Sequence, residues 1–534
     1  MIGGDMTRRS SSTERKNVKT MLPRIVALAA VGVLATAVSA GAVPDRPTAG
    51  GAGPRPPGPT APSKPTAPPK PTVPPRPTAP PGSAPGGEAW AWTQLTSRGT
   101  QIRYVSTDTS QSCPTVRYTL GAARNPFPMH RVSTPMGLQF PTTVCELGVP
   151  LTASDAVLEQ STVQAATLHP ANGQLPLPKW TPTTRPGRIG VIGDTGCSVP
   201  KSGPVQNCAT GWPFGRIATS LANGNPDLVI HVGDYLYRDD PARENDKAAN
   251  PGCRTSADAA RWDCVVADFF RPAEALLAKA PVALTRGNHE DCNPAGQGGA
   301  GGAWFRYLAD DLRSNGSCSV FSPPAFLRAG TLNLVSVDSS SADPNDNGSL
   351  ANRALFTQQF NAVNQDAGQP QHANQDYFVF THKPLWMVKA AGSMPGAVEW
   401  ATPVLDSAVA NTSLHALREN VRLVLSGHIH LYQMLDFNTA RPPQLTVGSS
   451  GGPLDNGPDD TKVVGKAIGT PPQPVNQSIT QEHNPPGGIG VFGYADLRDT
   501  GTTWTLAFRD PTGSVRGQTC TLSTSRTNKS FTCH

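Results

Sequence analysis

The sequence predicts an α/β layered fold preceded by a small β-rich domain, and three observations carry that expectation. From residue 188 onward, apolar runs of strand length alternate with helix-length segments, the texture of layered α/β chains. Residues 88–183 instead show short β-type runs divided by Gly, Pro and Ser, with little helical period. Before that, residues 44–87 hold 17 prolines, too many to build a core. The resulting division is a signal peptide at 1–42, a Pro-rich linker at 43–87, a β-rich domain at 88–183, an α/β domain at 184–512 and a polar tail at 513–534.

The N-terminus reads as an export signal. Arg8, Arg9, Arg15, Lys16, Lys19 and Arg24 precede an apolar run from Ile25 to Ala40, where small residues offer cleavage sites. That run is shorter than the roughly 20 residues of a membrane span, so no stable insertion is expected after cleavage, an uncleaved anchor being the alternative. The linker repeats a hexad, starting at Lys64, Lys70 and Arg76. Its prolines favour an extended polyproline II spacer, and its basic residues offer a contact to an anionic cell envelope. A secreted or cell-surface location follows. Ten cysteines fit an oxidising compartment, and neighbour pairing gives five sequence-local disulfides.

Charge excludes one class of partner. The chain carries 45 Lys+Arg and 39 Asp+Glu, but residues 1–87 hold 11 and 3 of these, leaving 34 − 36 = −2 for residues 88–534. The folded part therefore lacks the basic excess of a nucleic-acid-binding surface.

The early β-type runs are Gln101–Val105, Val116–Leu120 and Phe140–Val144. Later strands are expected at Ile189–Ile192, Leu228–Val232, Pro281–Leu284, Leu332–Val337, Tyr377–Phe380 and Val421–Leu425, with helices over Phe214–Ala222, Asp258–Ala278 and Leu350–Val363. Five strands end in metal-ligand residue types: Gly193-Asp194-Thr195-Gly196, Gly233-Asp234-Tyr235-Leu236-Tyr237, Gly287-Asn288-His289-Glu290, Thr381-His382 and Gly427-His428-Ile429-His430. Ligands of open α/β sheets gather at the carboxyl ends of strands, so all five sets can meet in one crevice. Two carboxylates, a phenol, an amide and three imidazoles suffice for two ions sharing a bridging carboxylate, which suits a phosphoryl displacement.

This ordered set resembles the calcineurin-like metallophosphoesterase superfamily, and Tyr237 in the GDxxY pattern narrows the resemblance to the purple acid phosphatase branch. The resemblance covers about residues 188–450 and implies a layered β-sandwich of the metallo-dependent phosphatase type with flanking helices. It implies Fe(III) held by Asp194, Asp234, Tyr237 and His430. Asp234 would bridge to a second ion, Zn, Mn or Fe, completed by Asn288, His382 and His428. His289 would contact the phosphate and protonate the leaving group, with Glu290 orienting its ring or forming a surface salt bridge. The implied activity is hydrolysis of small phosphomonoesters by a metal-bound hydroxide. A phosphodiesterase or nucleotidase on the same scaffold, or a non-catalytic envelope-binding protein, are the rival readings.

Plant members of that branch carry further histidines shortly after the position of His382; residues 383–392 contain none. Lys383, Lys389 or Arg286 is the candidate replacement cation. His231 reads as a core histidine, Tyr235 as packing, Asp338 as a turn cap, Cys197 as a disulfide partner and Ser449–Gly452 as a tight turn.

Overall fold

The computed structural model describes residues 87–108, 112–159, 167–240, 243, 253, 260–293, 299–315, 317–342, 350–390, 398–401, 404–481 and 490–534. The expected signal peptide and all but the last residue of the linker lie outside them.

Two sheets form the interior layers. In the first, strand Arg188–Ile192 pairs in parallel with Leu228–His231, which pairs in parallel with Val282–Leu284. In the second, Leu332–Val337, Asp376–Thr381 and Val421–Ser426 also run parallel. Their sequences are nearly continuous apolar runs, as strands buried on both faces require. Between the sheets, Ile189, Val191, Leu228 and Ile230 share one buried cluster with Phe378, Phe380, Leu423 and Leu425. On the outer face of the first sheet, helix Phe214–Asn223 joins the core through Phe214, Ile217, Ala218 and Leu221. Helix Leu350–Ala367 does the same for the second sheet, burying Phe356, Phe360, Val363 and Ala367 along one stripe. The order is helix, sheet, sheet, helix.

The predicted helix over 258–278 is present from Trp262 to Leu277, with a π turn at Val266–Phe270. The expected strand at Phe140–Val144 is displaced: it spans Thr143–Val149, because Pro141 has no amide hydrogen for a ladder. The β-rich segment is built directly onto the first sheet. Strand Glu88–Thr96, which the apolar pattern had not singled out, meets Val282–Leu284 through the parallel pair Gln94 and Val282, and pairs on its other side with Gly99–Ser106. At the opposite end the tail adds strands Val515–Leu522 and Phe531–Cys533 to the same sheet. Five neighbouring cysteine pairs are bonded: 113–145, 197–208, 253–264, 292–318 and 520–533.

Candidate metal centre

All five strand-end motifs arrive at one edge of the paired sheets. The chain turns sharply there. Asp194, Asp234 and His428 sit in the left-handed region, at φ of 56°, 60° and 72°, a conformation that costs energy for residues with a Cβ. Close approach fixes two of the glycines: a methyl group on Gly287 would overlap the Asp234 carboxylate, and one on Gly427 would overlap that of Asp194.

The donors converge on the Tyr237 hydroxyl. It lies 2.9 Å from Asp194 Oδ1, 2.8 Å from Asp234 Oδ2 and 2.8 Å from His430 Nε2. One phenolic proton cannot serve three such neighbours, so the crowding is of the kind a shared cation relieves. The same Asp234 Oδ2 lies 3.1 Å from His382 Nε2, which in turn stands 3.0 Å from Asn288 Oδ1. One donor atom each from Asp194, Asp234 and His382 fits within a mutual 4.8 Å. The ring nitrogens facing away are spoken for: His382 Nδ1 meets the Val232 carbonyl at 2.9 Å and His430 Nδ1 the Pro453 carbonyl at 2.6 Å. Such outer partners fix which nitrogen faces a metal. His428 borders the centre, its amide donating to both Asp194 oxygens at 3.1 and 3.0 Å. The donor set therefore fits a metal centre by composition and by convergence.

Electrostatics in the protein alone match this. Burial resists ionisation of Asp234, but the charges of His382 and His289 outweigh it and hold the carboxyl well below its ordinary range. For Asp194 burial wins and the carboxyl moves up, against the hydrogen bond from His430. Burial, Asp194 and Asp234 together push the Tyr237 phenol up.

His289 takes its place through backbone and ring. Its amide donates to Asp234 Oδ1 at 2.9 Å, and its Nδ1 lies 3.0 Å from Asp239 Oδ1. Burial alone would lower this imidazole, yet Asp234 and Asp239 raise it to about 9. Asp239 was not foreseen; an acidic residue directly behind GDYLYR was the available signal. Glu290 corrects an expectation. It neither orients the His289 ring nor forms a surface pair; it is buried and accepts the amides of Asp234 (3.2 Å), Tyr235 (2.8 Å), Leu236 (3.0 Å) and Gly287 (3.0 Å). Asp268 is a second unforeseen clamp: it accepts the Tyr237 amide at 3.0 Å and pairs with Arg238 at 2.6 Å.

Of the three candidate cations, Arg286 is committed to Asp338 and to the Ser319 and Val320 carbonyls. Lys383 donates to the Ala342 carbonyl at 2.6 Å. Lys389 lines a cavity shared with His428. The remaining readings agree with the geometry. His231 Nε2 meets Thr195 Oγ1 at 2.8 Å, Tyr235 stacks on His231, and Asp338 caps Ser340. Gly452 closes the tight turn onto the Asp194 carbonyl at 2.7 Å.

Comparison with known proteins agrees with this class of site. Residues 187–432 match the calcineurin-like phosphoesterase family. A purple acid phosphatase from yellow lupin (Lupinus luteus) seeds has a similar structure, with a TM-score of 0.50 and 13% identity over 80% of this chain and 73% of that one. PhoD aligns with a TM-score of 0.47 and 11% identity over 83% of this chain and 91% of that one. A search of curated proteins finds no match. The chain carries a calcineurin-like phosphoesterase domain. It is a metal-dependent phosphoesterase, a class that works through a binuclear centre.

Proposed function

We propose that this protein is an exported phosphomonoesterase of the purple acid phosphatase type. The observation that carries the reading is the Tyr237 hydroxyl, 2.8–2.9 Å from Asp194, Asp234 and His430. These four residues would hold Fe(III). Asn288, His382 and His428, with Asp234 shared, would hold a second ion, Zn, Mn or Fe. Bound ions supply Lewis acidity for in-line displacement at phosphorus. The chain's own residues do the rest. Asp239 pairs with His289 Nδ1 at 3.0 Å, which favours the protonated ring that can donate to the departing ester oxygen. Glu290 and Asp268 hold the single loop that presents Asp234 and Tyr237. Five disulfides favour an oxidising compartment, and among the described residues no helix is long and apolar enough to cross a membrane.

The test is a visible spectrum and metal analysis on one purified sample, with turnover of an aryl phosphate. A charge-transfer band that Tyr237→Phe abolishes, with about two ions per chain, is the expected result. An active, colourless dinuclear protein would remove the branch assignment and leave the phosphoesterase.

A further inference from the structure

The tight turn at Ser449–Gly452 runs on into Pro453, Leu454 and Asp455, and this one segment touches two of the donor turns. Gly452 donates its amide to the Asp194 carbonyl at 2.7 Å. Pro453 offers its carbonyl to His430 Nδ1 at 2.6 Å. Asp455 grips the backbone of His430 from both sides. Its Oδ2 accepts the His430 amide at 2.9 Å, and its own amide donates to the His430 carbonyl at 3.0 Å. The approach is close: a methyl group on Gly452 would stand 3.0 Å from His430 Cε1 and 3.2 Å from Nδ1, so the ring would have to give way.

This bracing is one-sided. Among the described residues, 452–455 make no hydrogen bond to Asn288 or His382. His382 is held instead by the Val232 carbonyl and stands against Asn288 Oδ1. Different pieces of chain therefore steady the two halves of the donor set. A ligand fixed before its ion arrives loses little freedom on binding it, and the partner that fixes it acts chiefly on the ion that ligand holds. The Asp455 side chain is exposed, so it can be cut back without opening the core.

We infer that Asp455 is a positioning residue for one of the two ions. Through its grip on His430 it sets the affinity of the position formed by Asp194, Tyr237 and His430, and it leaves the position of Asn288, His382 and His428 alone. The inference rests on the division of donors proposed above.

The test titrates the metal-depleted full chain with Zn(II) in a calorimeter. The parent should show two binding events; His430→Ala identifies one by weakening it, and His382→Ala the other. Asp455→Ala should weaken the His430 event about 10–100-fold, the usual cost of losing an outer partner of a metal ligand, with the His382 event unchanged. Asp455→Asn, which keeps an oxygen for the His430 amide, should restore most of that affinity, and Gly452→Ala should weaken the same single event. If Asp455→Ala weakens both events equally, the residue belongs to the general scaffold; if it weakens neither, Pro453 holds the ring unaided. Either result overturns the inference. A visible spectrum of the iron-loaded parent keeps this apart from the branch assignment. A colourless parent with two Zn(II) events, one of them sensitive to Asp455, keeps the positioning role and loses the ferric phenolate. A coloured parent whose Zn(II) events ignore Asp455 does the reverse. A parent that binds fewer than two Zn(II) ions overturns the division of donors, and the positioning role with it.

Discussion

The two ends of the central strands follow opposite electrostatic plans. At the amino ends, charge is neutralised within the chain: Arg185 pairs with Asp376 at 3.3 Å and Asp499 at 2.5 Å, Arg188 with Asp496 at 2.6 Å, and Arg422 with Asp376 at 3.7 Å. Asp227, just before Leu228, accepts the amides of Gly187 and Arg188. At the carboxyl ends, two carboxylates, a phenol and imidazoles face one another instead, on backbone held at positive φ in Asp194, Asp234 and His428. The amino ends are complete as folded. The carboxyl ends keep strained, mutually crowded donors, an arrangement that persists where the surroundings enforce it and a ligand uses it.

If that contrast is right, the clamps around the donor loops should be the least tolerant positions. Glu290→Ala would leave four buried amides without their acceptor, at about 1–3 kcal/mol for each unsatisfied group before relaxation. We expect the largest effect here, a loss of several kcal/mol together with loss of bound metal. Thermal unfolding and metal stoichiometry on the same preparation measure both. An unchanged Tm with full metal content would mean that the loops hold themselves.

The next effect separates chemistry from scaffolding. His289→Ala should lower kcat by about 10²–10⁴-fold, the usual contribution of a positioned acid, with both ions retained. Asp239→Asn should cost less, about 10–100-fold, the scale of a lost orienting partner. Metal loss in either variant would assign that residue to the scaffold.

These clamps also mark where sequence reading stopped. The donor motifs were legible because each follows an apolar run, four of the five at a glycine, with residue types that bind metal. Glu290 was visible as a residue but not as a role, since the amides it accepts belong to Asp234, Tyr235 and Leu236, more than fifty positions away, as well as to Gly287. Asp268 lies in a π turn inside a helix, facing the loops of Cys197 and Tyr237; no period announces such a partner. The strand Glu88–Thr96 is buried along almost its whole length, so alternation could not mark it. Residues 513–534 looked polar because strand Val515–Leu522 begins exposed and becomes buried only towards Cys520.

At the amino ends a single charge should matter less. Asp376→Asn weakens pairs with Arg185, Arg422 and Arg526 that keep some solvent access, so about 1–2 kcal/mol is expected, with metal content and kcat unchanged. A change in kcat would mean that strain at one end of strand Asp376–Thr381 is transmitted to His382 at the other.

The last effect concerns how the tail closes that same end. Lys529 is buried and donates from Nζ to the Val421 carbonyl at 2.7 Å. Burial, helped by Arg422, lowers its ammonium to about 7. The unfolded lysine keeps an ordinary value near ~10.4, so between those two values the unfolded chain binds a proton that the folded chain does not. By linkage, this group makes stability rise with pH across that window, and its penalty is complete below about pH 7. Lys529→Met removes the titration. The Tm of the variant relative to the parent should therefore be highest near about pH 6 and should fall towards about pH 10. A difference that stays constant over that range would place the proton on Lys529 throughout, and the amino ends would then carry one more buried charge than the closed arrangement allows.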